Sequence, residues 1–165
     1  EKEAKEIIRN GDLLRNGEPV RDIQDGVGVL DLIEIPETEE IFRVIKNGAN
    51  LDFVPVDSGK PVGKVVDKHE EGDRFVYRLH TGENYSTKDE FETGNTLVFR
   101  DGVEEVELEE GAEALVVRGK HAGDAVEVKE IERRGMNPDT AIIENDTTFE
   151  TQLENLVATT GLDIK

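Results

Sequence analysis

Apolar and polar residues alternate along short stretches of this chain, and glycine-containing turns separate the stretches. In 126–131, for example, Val126 and Val128 are interleaved with Glu127 and Lys129. A period of two places successive side chains on opposite faces and is typical of a half-buried β-strand. The same pattern predicts short strands at 12–15, 18–21, 26–35, 41–45, 51–56, 61–66, 74–80, 96–99, 103–108, 114–117, 140–143 and 147–151. The chain is therefore expected to be mostly β.

Helical spacing is found at the N-terminus, in 1–10. The apolar residues of this segment share one helix face, and the opposite face carries Lys2, Lys5 and Arg9. Asn10-Gly11 is a typical helix-stop signal. Near the other end, 152–157 is compatible with a short helix or with a last strand.

Charge changes this picture of an ordinary β protein. The chain has 165 residues, with 39 acidic and 20 basic side chains and a net charge of −19. Charge alone is compatible with a disordered acidic chain, but the recurring strand pattern favours a folded protein with an acid-coated surface. Such a surface suits very high intracellular salt, because the Debye length at about 1 M is only ~3 Å and self-repulsion is screened. We therefore expect a halophilic source.

The residue inventory favours no catalytic or metal site. The chain has no cysteine, which excludes disulfides and thiolate metal sites. Its histidines, His69, His80 and His121, include no pair at i, i+4 spacing, and no glycine-rich nucleotide loop is present. Ser58 and Ser86 lack the pattern of a catalytic triad. We expect neither an enzyme nor a bound cofactor. No apolar run approaches membrane length either.

A basic glycine loop joins the predicted strands at 114–117 and 126–131. It reads Arg118-Gly119-Lys120-His121-Ala122-Gly123. The glycines allow positive φ and close approach of a partner, and free backbone N–H groups in such a loop suit phosphate. The whole segment, GAEALVVRGKHAGDAVEVKEI, resembles the KOW motif of ribosomal and transcription-elongation proteins, which implies a small bent β-barrel that binds RNA. The glycine that follows this loop in KOW motifs is Val126 here, so the usual local bend is not expected at this position, although a barrel with a shifted bulge is compatible with the sequence.

The N-terminal segment carries a second resemblance. AKEIIRNGDLLRNGEPVRD is similar to the second helix and hairpin of the S-four RNA-binding module, and Asn16-Gly17 is a strong hairpin-turn signal. GVGVLDLIEIPETEE, LHTGENYS and TGNTLVF resemble successive parts of the ribosomal protein S4e family. Together these resemblances imply a partial S-four-like module at 1–35, a central β-domain at 36–109 and a KOW-type barrel at 110–165. They also imply that the chain begins inside a longer protein.

The resemblance implies a structural constituent of the small ribosomal subunit that scaffolds rRNA in the cytoplasm. The implied partners are small-subunit rRNA and neighbouring ribosomal proteins, with no membrane. The expected RNA contacts are the residues of two basic clusters: Lys2, Lys5, Arg9, Arg15 and Arg21, and then Arg118, Gly119, Lys120, His121, Lys129, Arg133 and Arg134.

Two other functions remain open from the sequence. One is an acidic β-domain that binds basic proteins, and the other is a KOW-type transcription adaptor. RNA binding needs only local patches of Lys and Arg. It is favoured if the basic side chains share one side of the molecule, and disfavoured if carboxylates surround each of them.

Overall fold

The computed structural model describes residues 13–20, 28–47, 50–56, 59–100 and 102–162. The predicted N-terminal helix, with Lys2, Lys5 and Arg9, lies outside the described residues, as does Arg21. The described strands are β1 Leu14–Arg15, β2 Glu18–Pro19, β3 Leu32–Ile35, β4 Glu40–Asn47, β5 Asn50–Pro55, β6 Val62–Glu71, β7 Arg74–Leu79, β8 Asn84–Thr87, β9 Thr96–Arg100, β10 Gly102–Val106, β11 Glu113–Val116, β12 Ala125–Glu132, β13 Thr140–Glu144, β14 Thr148–Gln152 and β15 Leu156–Ala158. A 3-10 turn, Leu153–Asn155, precedes β15.

These strands form three five-stranded sheets, and every pairing among them is antiparallel. The first sheet has the order β2-β1-β3-β4-β5, the second β10-β9-β6-β7-β8, and the third β14-β13-β12-β11-β15. The mostly β class expected from the residue pattern is confirmed.

The first sheet begins with the predicted hairpin. Asn16 and Gly17 have φ angles of 52° and 87°, as a type I′ turn requires. The Asn16 side chain accepts a hydrogen bond from the Leu32 N–H (2.9 Å) and donates one to Asp31 Oδ1 (3.0 Å). These bonds fix the hairpin against β3.

The predicted strand at 26–35 is shorter in the structure, because β3 begins only at Leu32. Leu30 has a φ of 72°, and the Asp31 carboxylate accepts a hydrogen bond from the Gly28 N–H at 2.7 Å. A left-handed residue beside this side-chain turn cannot continue a strand. Leu30 is fully buried, so the turn is held by its packing.

The second sheet is organised around β6, whose two halves have different neighbours. Its first half pairs with β9 and its second half with β7, and the register with β7 shifts between Val65 and Asp67. The fully buried Tyr77 donates a hydrogen bond to the Asp89 carbonyl (2.8 Å) and accepts one from the Phe91 N–H (2.7 Å). The sequence pattern did not predict β8 of this sheet, because NYST contains only one large apolar side chain.

The third sheet contains the loop that resembles KOW. Val126 lies within β12, is 5% exposed and packs in the core with Ala114 and Ile143. The register between β12 and β13 shifts instead between Val128 and Glu130. This irregularity lies about three residues beyond the usual motif glycine and is of the kind that a shifted bulge produces. Closure of this sheet into a barrel stays a proposal.

One buried cluster joins the three sheets. It contains Leu30 from the N-terminal part, Val62 and Val98 from the second sheet, and Leu115 and Val157 from the third. The proposed division at 35/36 falls between β3 and β4, which pair within one sheet. The three-part division of the chain stays a proposal, since strand pairing alone does not define domains.

A buried arginine adds a polar link at the same place. Arg43 of β4 is 3% exposed, and its guanidinium donates to the carbonyls of Leu30 (2.9 Å) and Lys60 (3.0 Å). Backbone carbonyls from both sides of the sheet boundary are thus satisfied by one side chain, which holds the first sheet against the start of the second.

Candidate nucleic-acid interface

The basic glycine loop connects β11 to β12 and is closed by its own backbone. Gly119 and Gly123 have φ angles of 88° and 102°. The N–H groups of Ala122, Gly123 and Asp124 donate to carbonyls of Gly119, Val116 and His121. These three N–H groups are therefore unavailable to an anion. The N–H groups of residues 118–121 make no hydrogen bond within the part of the chain that the structure describes.

Two cations of this loop are not neutralised by any residue that the structure describes. Lys120 and Arg118 are both exposed. Neither forms an ion pair or a hydrogen bond with any described residue. Such a group of cations and N–H donors, with no partner among the described residues, is of the kind that suits an anion, although the chain as a whole has a net charge of −19.

His121 makes contacts within the protein. Its ring stacks on Phe149 of β14, with centroids 3.6 Å apart and an angle of 29° between the planes. Its Nδ1 lies 3.7 Å from the Asp124 carboxylate. One face of the imidazole is thus covered, which leaves the ring edge and the other face for any external contact.

The three basic residues on and after β12 are all engaged with carboxylates. Lys129 pairs with Glu127 at 3.0 Å, and the hydrogen bond from that pair raises the pKa of Lys129. Arg133 pairs with Asp139 at 3.0 Å. Arg134 reaches Glu132 at 3.1 Å and Glu150 at 3.4 Å. Their positive charge is locally balanced, unlike that of Arg118 and Lys120.

Asp139 serves two of these arginines at once. The Arg134 N–H donates to one carboxylate oxygen and the Arg133 guanidinium to the other, both at 3.0 Å. These hydrogen bonds, with the backbone bond the larger cause, lower the pKa of Asp139. Asp139 therefore stays ionised and fixes the turn between β12 and β13.

Arg15 is the one member of the first basic cluster among the described residues. It is half-buried on β1, opposite Glu18 of β2 and Ile33 of β3. The structure thus places Arg15 in the predicted hairpin.

The sequence did not single out the residues where the three sheets meet. Lys64 of β6 is 6% exposed, and its ammonium donates to the carbonyls of Leu153 (3.2 Å), Glu154 (3.5 Å) and Leu156 (2.5 Å). Burial lowers the pKa of Lys64 to about 8. This lysine ties the second sheet to the 3-10 turn of the third.

His80 and Arg78 lie beside Lys64. His80 Nε2 is 3.0 Å from the Val29 carbonyl, which links the second sheet to the N-terminal part. Burial lowers the pKa of His80. Arg78 is exposed and forms no ion pair with a described residue. The alternation in 74–80 placed Arg78 and His80 on one face, which was the available signal for this group.

Among the residues that the structure describes, no three His, Asp or Glu side chains are arranged to hold a metal ion. No helix in the same part of the chain is long and apolar enough to cross a membrane.

Comparison with known proteins decides the family. No protein-family model matches the chain. The small ribosomal subunit protein eS4 of Halorubrum lacusprofundi is 34% identical over an alignment that covers 94% of this chain and 70% of that protein. The chain belongs to the eS4 family. The eS4 protein of Halobacterium salinarum is 30% identical, with 94% of this chain and 72% of that protein aligned.

Other relatives extend the similarity beyond halophiles. The eS4 protein of Methanothermobacter thermautotrophicus is 32% identical over 87% of this chain, and the aligned part spans 63% of that relative's length. The crystal structure of the 30S ribosomal protein S4e from Thermoplasma acidophilum has the same fold, with a TM-score of 0.77 and 24% identity. The superposition covers 96% of this chain and 85% of that one. The eS4 fold is thus present across nearly all of this chain.

Proposed function

We propose that this chain is a structural constituent of the small ribosomal subunit that binds and scaffolds rRNA on cytoplasmic ribosomes. The observation that carries the proposal is the eS4 similarity over 94% of the chain. Its partners are rRNA and neighbouring ribosomal proteins, as the names of its relatives suggest. The role needs no catalysis and no cofactor, since a scaffold acts through contacts alone.

Arg118 and Lys120 supply the central RNA contact in this proposal. Both cations lack a carboxylate partner in the described part of the chain, so phosphate binding breaks no existing ion pair. The N–H groups of 118–121, which have no acceptor among the described residues, add hydrogen-bond donors at the same place. Phosphate contacts position a protein, and specificity comes from the fit to folded RNA.

Lys129, Arg133 and Arg134 make a weaker contribution. RNA phosphates would have to displace Glu127, Asp139 or Glu132 from these cations. Because exposed ion pairs of this kind contribute little to stability, the exchange is possible but yields little affinity. The N-terminal cations Lys2, Lys5, Arg9, Arg15 and Arg21 form the second contact, within a partial S-four-type module.

The proposal also includes the division of the chain into domains and a halophilic source organism. It includes a KOW-type barrel in 110–165 and a central β-domain in 36–109. A halophilic source is supported by the net charge of −19 and by relatives in Halorubrum and Halobacterium. High salt screens the repulsion between this acidic surface and RNA.

One observation favours a second candidate function. The carboxylates around Lys129, Arg133 and Arg134 leave that face without net positive charge, which suits a surface that binds basic proteins. This candidate predicts tight binding to a basic protein and none to RNA. A KOW-type transcription adaptor has no comparable support in the N-terminal half.

The test is binding of the chain to small-subunit rRNA fragments and to an unrelated structured RNA of equal length, in multimolar KCl. We expect preference for the rRNA fragments, and a loss of at least about tenfold in affinity for R118E/K120E. The control is K68E/K88E, which reverses the same number of charges on the second sheet. Equal losses in both variants, or no preference in the parent chain, would contradict the proposal.

A further inference from the structure

A cleft of about 1170 Å³ lies where the second and third sheets meet, beside Val29. We call it the junction cleft and define it by Lys64, Arg78, His80, Arg118 and Glu154, which line it together with other residues. It includes Arg118 of the proposed RNA contact but extends to the second sheet, where no RNA contact has been proposed.

Arg78 reaches the cleft from β7. Its neighbours along the strand, Tyr77 and Leu79, are buried in the core of the second sheet. Alternation therefore directs Arg78 away from that core, on the same face as His80. Arg78 is exposed, and its side chain forms no hydrogen bond or ion pair with any residue that the structure describes. The Arg78 guanidinium is thus held by a regular strand and can contact an anion without first leaving a described partner.

Arg118 reaches the cleft from the other wall. It follows β11 of the third sheet and lies close enough to Lys64 for its charge to contribute to the lowered pKa of that lysine. The Lys64 ammonium is already engaged with three carbonyls of the third sheet. Arg118 remains the available donor on this wall, so guanidinium groups from two different sheets face one space.

Carboxylates also line the cleft, and they differ in the partners with which they interact. Asp139 is occupied by Arg133, and the charge of Glu154 acts on Lys64. The others, Glu92, Glu107 and Glu109, belong to a separate acidic group. Glu109 hydrogen-bonds to Glu107 and is the largest cause of the raised pKa of Glu107, to which Glu92 also contributes. The cleft is thus lined by carboxylates as well as by cations.

Contacts between the sheets hold the walls of the cleft in place. Lys64 fixes the second sheet to the 3-10 turn Leu153–Asn155, and His80 fixes it to Val29. The shared apolar cluster lies behind these bonds. Because the walls are tied together, the space between Arg78 and Arg118 is preorganised, and binding there loses little conformational entropy.

We infer that the junction cleft binds a phosphodiester of the RNA backbone, with Arg78 and Arg118 as the two donors. The inference rests on the proposed rRNA-binding function and extends it to a residue of the second sheet. Planar guanidinium groups bind phosphate oxygens bidentately, which a lysine ammonium cannot do. The carboxylates that line the cleft repel further phosphates, so the site takes one stretch of backbone and leaves the bases unread.

The decisive variant is R78E, compared with R74E in binding to the rRNA fragment. Arg74 lies on the same strand and is exposed, but it hydrogen-bonds to Ser86 and does not line the cleft. We expect R78E to weaken binding about tenfold and R74E less than about twofold. Equal effects of the two variants would overturn the inference.

A conservative pair keeps the test valid if R78E is unstable. R78K retains the charge but loses the planar fork, and R74K is its control. We expect R78K to weaken rRNA binding about threefold, with urea unfolding of both variants unchanged. Wild-type affinity in R78K and R78E, alongside loss in R118E/K120E, would remove the cleft from the interface while leaving the proposed function intact.

An NMR titration distinguishes a phosphate of the RNA backbone from free inorganic phosphate as the group that the cleft binds. NMR signals of the Arg78 and Arg118 Nε–H groups should shift with the rRNA fragment and not with micromolar inorganic phosphate. Saturation by inorganic phosphate would instead assign the cleft to a free anion. If the parent chain shows no preference for rRNA at all, the proposed function and this inference both fail.

Discussion

His80 and Lys64 are joined by two hydrogen bonds. The His80 N–H donates to the Lys64 carbonyl at 2.8 Å, and the Lys64 N–H donates to His80 Nδ1 at 2.9 Å. Because Nδ1 accepts, the proton of the neutral imidazole is on Nε2, which donates to Val29. The side chains of these two residues then link the second sheet to both of the others. Protonation of His80 at Nδ1 would place two donors against each other.

The first prediction is a loss of stability at mildly acid pH. Burial lowers the pKa of His80 below its ordinary value of 6.5. The unfolded chain therefore takes up a proton before the folded one does, so stability is complete above pH 6.5 and falls as pH falls through that value. We expect the urea midpoint to decrease from pH 7.5 to 5.5 at constant KCl.

The variant H80N isolates this histidine. Asparagine offers an acceptor near the position of Nδ1 but does not titrate, so H80N should lose less stability than the parent over the same interval. H69N is the control, because His69 is an exposed histidine that pairs with Glu71. If H69N and H80N have the same pH profile, the pH effect does not arise at the junction.

The second prediction concerns alkaline pH. Burial lowers the pKa of Lys64 from 10.5 to about 8. The folded chain therefore loses this proton before the unfolded one does, so the free energy of unfolding should rise from pH 8 towards 10.5, at most by about 1.4 kcal/mol per pH unit. Urea unfolding at pH 7.5, 8.5 and 9.5 measures this slope.

The slope should disappear in K64M and persist in K68M. Lys68 is the matched lysine, because it lies on the same strand but its hydrogen bond to Glu90 raises its pKa. Titration of Lys68 therefore lies above the measured interval. A slope that survives in K64M would show that another group titrates at the junction.

The hairpin and the junction show what the sequence can predict and what it cannot. The Asn16-Gly17 turn is local, since two adjacent residues determine its φ angles. Lys64 is different: its acceptors lie 89 to 92 residues away. Residues 62–65 are all buried, so no alternation marks which side chain meets the third sheet. The pattern along one strand contains no information about such a distant contact.

The basic residues show the same division. The sequence predicted that 118–121 form a basic glycine loop, and the structure places them there. The sequence could not predict which cations are neutralised, because 39 acidic residues offer every cation several partners. The pairing of Arg134 with Glu150, for example, depends on β14 approaching β12 through β13.

A third prediction concerns the position of the missing motif glycine. Val126 is 5% exposed in the core of the third sheet. V126G restores the usual KOW residue but removes a buried side chain, so we expect a loss of about 2–4 kcal/mol in the free energy of unfolding. A125G is the control, since Ala125 is exposed on the same strand and should lose only about 0.5–1 kcal/mol. Equal losses would mean that Val126 contributes no packing.

A fourth prediction concerns salt. With a net charge of −19, the folded chain repels itself, and below about 0.1 M salt this repulsion is poorly screened. We expect the thermal midpoint to rise steadily from low to multimolar KCl. Repulsion between neighbouring carboxylates acts at Glu107, whose pKa is raised chiefly by the hydrogen bond and charge of Glu109. Removing this pair of charges should therefore reduce the need for salt.

The matched variants are E107Q/E109Q and E37Q/E39Q, which remove the same number of charges at the same spacing. Glu37 and Glu39 lie in an exposed turn between β3 and β4. E107Q/E109Q should gain more stability than E37Q/E39Q at low salt. This difference between the two variants should vanish in multimolar KCl, because high salt screens the same carboxylate repulsion that the substitution removes. Equal gains at every salt concentration would show that repulsion at Glu107 is not a source of the salt requirement. A parent chain equally stable with and without salt would contradict a halophilic source on physical grounds.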